Sequence, residues 1–151
     1  MDFLKAVIVE YFLIQVLIQD SKTWEVDLPQ KVIGIQDSCV VIPCTFNYPG
    51  VEKQSNDITI IWYKYNGNSQ YTEIYHKKKN LNALADKYIL VGDSRKKDCS
   101  LKITNLQKTD EGYYHLRVEI AQLDAFSFIT QAAYVSVSGK NLSHSSFKQL
   151  S

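Results

Sequence analysis

The sequence predicts an all-β sandwich, and three observations carry that expectation. After residue 24 the apolar residues fall in short alternating runs, clusters of turn-forming residues separate those runs, and no stretch sustains a 3.6-residue period. At 151 residues the chain has room for one domain with tails, and 45% hydrophobic content can fill its core.

The elements follow in order. Lys5 precedes Ala6–Val9, Tyr11–Ile14 and Val16–Ile18, and the chain turns polar at Gln19-Asp20-Ser21. This apolar stretch is too short to span a bilayer and fits a secretory leader over residues 1–21; an amphipathic helix of the mature protein is the other reading. The domain then occupies residues 22–138. Val32, Ile33 and Ile35 lead to a turn at Gln36-Asp37-Ser38, and Cys39 to Phe46 form an apolar strand. Ile58 to Tyr65 make a longer strand that ends at Asn66-Gly67-Asn68, a strong hairpin signal, with Gln70–His76 as its partner. Tyr88–Val91, Ser100–Ile103, Gly112–Ala121 and Phe126–Val137 complete the series. Residues 139–151 read as a flexible tail carrying a glycosylation sequon at Asn141-Leu142-Ser143. No later run of apolar residues is long enough for a membrane span, so the expected location is extracellular: secreted as written, or at the cell surface if the chain is part of a longer receptor.

Composition excludes several function classes. The net charge of +1 and the short basic cluster Lys77-Lys78-Lys79 argue against nucleic acid. His76, His115 and His144 are scattered without metal-ligand spacing, and no nucleophile elbow or phosphate loop is present. Neither an enzymatic role nor a cofactor or metal is expected.

Three landmarks make the sandwich immunoglobulin-like, of the V type. Cys44 is the strand-B cysteine, Trp62 the strand-C tryptophan, and Asp110-Glu111-Gly112-Tyr113-Tyr114 the tyrosine corner opening strand F. Lys87 is the expected ion partner of Asp110. The second cysteine of such domains falls two residues after the corner tyrosine, where this chain has Leu116. Three cysteines permit three pairings. Cys39 and Cys44 face opposite sides of a regular strand, whereas Cys99 falls on strand E, which neighbours strand B. A Cys44–Cys99 bridge inside that sheet would close a loop of about 55 residues and stabilise by roughly 4 kcal/mol.

These residues resemble the V-set domain of the sialic-acid-binding immunoglobulin-like lectins (siglecs). The resemblance runs from Thr23-Trp24-Glu25-Val26 to about Ser138. It rests on Ser38 to Pro49 with its Cys-x4-Cys pair, Ile61-Trp62-Tyr63, Leu90-Val91-Gly92-Asp93, Lys97-Asp98-Cys99-Ser100-Leu101 and Tyr114-His115-Leu116-Arg117-Val118-Glu119. It implies the same relocation of the disulfide from strands B–F to B–E. It also implies sialylated glycans as partners, with Arg117 gripping the sialic acid carboxylate. Alternation supports that role: Tyr114 and Leu116 point inward, so His115 and Arg117 face outward, and a guanidinium forms two parallel bonds that lysine cannot. An ion pair of Arg117 with Glu119 or Glu73 is the plainer alternative. Trp24 aligns with the tryptophan that packs on the N-acetyl group. Phe126 stands where the family has a second tryptophan, so contact area and an indole N–H are lost there. Leu123 to Ser127 would supply strand-G backbone groups, and Tyr65 is a weaker contact. Cys39 resembles the cysteine that bridges to a second immunoglobulin domain; a disulfide-linked partner chain is the other use for it. The competing function is a V-set adhesion or co-receptor domain that binds protein through its outer face without glycan recognition.

Overall fold

The computed structural model describes residues 23–49, 57–79, 81 and 83–139, with positions 5 and 8. The expected leader, those two positions apart, and the tail beyond Gly139 with Asn141 lie outside the described residues. Among those described, no helix is long and apolar enough to cross a membrane.

Strand β1 (Glu25–Asp27) pairs antiparallel with β4 (Thr45–Asn47), Val26 opposite Phe46. Leu28-Pro29-Gln30 then carries the chain to the other layer. There β2 (Lys31–Ile35) runs parallel to β11 (Ala133–Ser138), placing Val32 beside Val135. The same sheet contains β5 (Ile58–Gly67), β6 (Gln70–His76) and β9 (Gly112–Ile120), in the order β2-β11-β9-β5-β6. Strand β10 (Asp124–Ser127) also pairs with β9. The second layer is β3 (Val40–Ile42), β8 (Leu101–Ile103) and β7 (Tyr88–Leu90), with β8 central. The predicted all-β V-type sandwich is what forms, and apart from it the described residues contain two short 3-10 turns, Ser94–Lys96 and Lys108–Asp110.

Three boundaries differ from the sequence expectation. The strand expected from Cys39 to Phe46 breaks at Pro43, which has no N–H for a ladder. Ile42 is the last residue paired with β8, and Thr45 resumes against β1. Across the break the Cys44 N–H donates to Ser100 Oγ at 3.1 Å, and the Cys99 N–H donates to the Cys44 carbonyl at 2.9 Å. The last expected strand is likewise split: it starts at Asp124, leaves the ladder after Ser127 and resumes at Ala133. The Phe128 N–H still donates to the Leu116 carbonyl at 2.8 Å, so the chain bends without coming loose. Finally, the hairpin turns at Asn68-Ser69, both with positive φ, while Gly67 at φ 89 pairs with Gln70. A type I′ two-residue hairpin loop needs φ above zero at both central positions, and this sequence meets that demand two residues later than its Asn-Gly signal suggests.

Between the layers lie the fully buried Trp62, Tyr114, Phe128, Leu101, Ile103, Leu116 and Val118. The corner closes as expected: Tyr114 Oη donates to the Asp110 carbonyl at 2.6 Å, and Lys87 Nζ meets Asp110 Oδ2 at 2.5 Å. Burial raises the Tyr114 phenol far above its ordinary range, so it remains a donor. The disulfide joins Cys44 to Cys99 within one layer, and Leu116 fills the facing position. The layers are tied across the core instead by Trp62, whose indole N–H donates to the Cys99 carbonyl at 3.0 Å.

On the outer face of β9, His115 faces outward yet is buried, 5% exposed. Tyr63 stacks on it at 5.2 Å and Tyr71 meets it edge-on at 4.8 Å. That burial lowers the imidazole pKa below its ordinary value of 6.5.

Two outcomes are expected for stability. Replacing both Cys44 and Cys99 by alanine should lower the unfolding free energy by about 4 kcal/mol in a urea titration, from loss of the 55-residue closed loop. For His115 the unfolded chain binds its proton more readily than the fold does, so stability should fall as pH drops below about 6.5. His115→Phe should flatten the loss of urea midpoint between pH 7.5 and 5.5; an unchanged slope would refute this assignment.

Candidate functional site

The register of β9 dictates what surrounds Arg117. Its cross-strand partners are Ile61 on β5 and Ser127 on β10. Because side chains alternate along a strand, Arg117, Ser127 and Glu119 share the outer face while Leu116 and Val118 enter the core. The Arg117 side chain is one-third exposed (32%), with Nε–H donating to Glu119 Oε1 at 2.9 Å and Nη1–H donating to Ser127 Oγ at 2.9 Å. Of the two carboxylates considered from sequence, Glu119 is therefore the partner. Glu73 is engaged elsewhere, accepting from Lys79 Nζ at 3.3 Å and from the Tyr63 hydroxyl at 3.4 Å. A guanidinium has five N–H bonds, so three of them have no acceptor among the described residues.

The aromatic residues expected beside Arg117 meet each other. Trp24, just ahead of β1 on the opposite layer, crosses the open edge of the sandwich and stacks on Phe126 with centroids 5.7 Å apart and planes within 14°. Phe128 packs edge-on against both, and Tyr48 lies 6.1 Å from Trp24. Phe126 is opposite Val118, so its side chain leaves β10 on the core side while Ser127 leaves on the Arg117 side. Arg117 and the Trp24–Phe126 pair thus flank strand β10, one from each face. Phe126 remains 40% exposed at that edge and Trp24 is half-buried.

Among the described residues β10 pairs with β9 alone, so one row of its backbone groups is directed away from the sheet. Leu123 is exposed in the turn that leads into β10, and Ala121, Gln122 and Asp124 continue a shallow recess that also includes Thr59, Lys78 and Glu119. Asp124 turns its carboxylate back to accept from the Ala125 N–H at 2.8 Å. Tyr65 is not gathered into this group. It lies four residues beyond Ile61 on β5, about 13 Å along the strand from the level of Arg117.

Tyr65 belongs to a second feature that sequence reasoning did not assemble. With Tyr71, Tyr113, His115, Ile129, Thr130 and neighbouring small residues it lines a recess of about 270 Å³ that has no charged side chain. Tyr113 also meets Tyr134 edge-on at 4.9 Å. The register between β5, β6 and β9 creates this cluster, and only the high tyrosine count of ten hinted at it.

The remaining candidates are placed simply. Cys39 is exposed and outside the disulfide. Each of the three consecutive lysines has a protein partner: Lys77 donates to the Ile58 carbonyl and Ser94 Oγ, Lys78 pairs with Asp57, and Lys79 with Glu73.

Comparison with known proteins gives this geometry a lineage. Residues 27–133 match the immunoglobulin V-set domain. Human sialic acid-binding Ig-like lectin 5 is 27% identical over 107 residues, 68% of this chain and 19% of that protein. Schwann cell myelin protein of Coturnix japonica is 27% identical over 119 residues, 74% of this chain and 19% of its own length. Mouse myeloid cell surface antigen CD33 is 32% identical over 95 residues, covering 60% and 23% respectively. The chain therefore spans about a fifth of the length of the curated relatives it matches. Among solved structures, murine CRIg superposes with a TM-score of 0.56 at 14% identity, over 78% of this chain and 98% of that one, which attests the fold alone. The chain belongs to the immunoglobulin V-set family, and within it is similar to the sialic acid-binding Ig-like lectins.

Proposed function

We propose that this domain is a sialic-acid-binding lectin module for cell-surface recognition, in which Arg117 pairs with the carboxylate of the glycan. The observation that carries the reading is the Arg117 guanidinium itself: outward on β9, partly exposed, with three N–H bonds uncommitted among the described residues, beside the free edge of β10. A sialic acid laid along that edge would set its carboxylate on the outer face at Arg117. Its uncharged arms would reach the backbone of Leu123 to Ser127 and the exposed rim of Trp24 and Phe126. Ser127 Oγ accepts from Arg117, which leaves its own hydrogen to donate to the ligand. The work is recognition and not catalysis, carried out in the extracellular space, and the relatives named for sialic acid binding support it. Cys39 is left to bridge a second immunoglobulin domain or another chain.

So few contacts in an open site make each binding event weak, and avidity must come from multivalent display. Displayed as a multimer on sialoside-coated surfaces, the domain should bind, and Arg117→Ala should lose ten- to a hundredfold, about what a hydrogen bond to a charged group is worth. Arg117→Lys should not restore binding, because an ammonium lacks the planar pair of donors. Equal binding by wild type and Arg117→Ala, or none by either, would defeat the proposal.

A second reading rests on the outer face beyond Arg117. Tyr113, Ile129, Tyr65, Tyr71, Ile33 and Ile35 are all exposed there, more apolar surface than a free sheet face needs. It fits a protein partner docking on β2, β9, β5 and β6, the alternative V-set role. Cell binding that survives sialidase treatment and is lost on Tyr113→Glu would favour it; sensitivity to sialidase with indifference to Tyr113→Glu would dismiss it.

A further inference from the structure

An arginine presents two edges on which a carboxylate forms paired bonds, one including Nε–H and one using only the terminal nitrogens. In this structure Glu119 already holds Nε–H at 2.9 Å, and Ser127 holds one terminal N–H at 2.9 Å. An arriving carboxylate finds the Nε edge taken by Glu119 and Nη1 of the terminal edge shared with Ser127. We infer that Glu119 is an internal stand-in for the ligand's carboxylate, a gate that must release Arg117 before an anionic glycan can grip its Nε edge with two bonds. This rests on the lectin reading of Arg117.

The surroundings fit a residue that moves. The Glu119 side chain is 41% exposed, and no described group other than Arg117 hydrogen-bonds its carboxylate. Its neighbours across the sheet, Thr59 on β5 and Ala125 on β10, offer no cation. Lys78 lines the same recess and is half-exposed in its pair with Asp57, so it offers the displaced carboxylate a second cation nearby. Binding then exchanges one carboxylate for another at Arg117. The released Glu119 offsets part of what the anchor gains, by no more than an exposed ion pair is worth. The gate also discriminates: a neutral sugar gains nothing at Arg117, because it cannot replace the charge of Glu119.

The test compares the full chain, wild type, with Glu119→Gln and Arg117→Ala. Glutamine keeps the length and an acceptor oxygen at an exposed position, so folding is preserved while the competing charge is gone. Glu119→Gln is expected to bind immobilised sialosides about two- to fivefold more tightly per site, the range set by the strength of an exposed ion pair. In the same protein without ligand, the Nε–H signal of Arg117 in a ¹H–¹⁵N spectrum is expected to shift when the carboxylate is removed. Binding that is unchanged or weakened by Glu119→Gln, while wild type still binds in an Arg117-dependent way, would overturn the gate and leave the lectin reading standing. An unmoved Nε–H signal would overturn it as well. Absence of sialoside binding in all three proteins, with the signal still shifting, would remove the lectin reading and the gate together.

Discussion

Everything in this fold depends on the inward position at Leu116. With leucine there, no covalent bond can reach from β9 to the opposite layer, and Cys44 bonds to Cys99 inside its own sheet. The two layers are then held by burial and by the Trp62 N–H on the carbonyl of Cys99, a bond placed on the backbone of the disulfide itself. The corner repeats that solution at the start of β9, where Tyr114 and Lys87 both converge on Asp110. The sandwich is pinned by hydrogen bonds at two depths, and its edge between β1 and β10 stays open enough for Trp24 to cross it.

That open edge organises the candidate site. A ligand straddling β10 would meet charge on one side and aromatic surface on the other, with unpaired backbone between them. Each surface is modest: the arginine is shared with Glu119 and Ser127, and the phenylalanine offers no polar handle. Such a site favours many weak engagements over one tight one, which suits surfaces that touch and separate.

Much of the architecture was legible because β structure has a period of two. Tyr114 and Leu116 inside and Arg117 outside follow from alternation once the corner is recognised, and the Lys87–Asp110 pair follows from the corner itself. Strand breaks were less legible. Pro43 lay in plain view, but its effect depends on β1 taking over from β8 as the partner of the next segment. What stayed hidden was cross-strand register. Alternation places both Glu119 and Glu73 on the outer face, and only register decides that Arg117 takes the first while Tyr63 and Lys79 take the second. Register also separates Tyr65 from Arg117, and it buries His115 although that residue points outward.

The two tryptophans of the chain illustrate a last consequence of the open edge. Trp62 is wholly enclosed with its N–H satisfied, whereas Trp24 is half-buried and lies on Phe126 at the rim of β10. Their indoles sit in different dielectric surroundings, so their fluorescence emission should separate, Trp62 to the blue and Trp24 to the red. The protein carries two intrinsic dyes, one reporting whether the sandwich is intact and the other whether its edge is occupied.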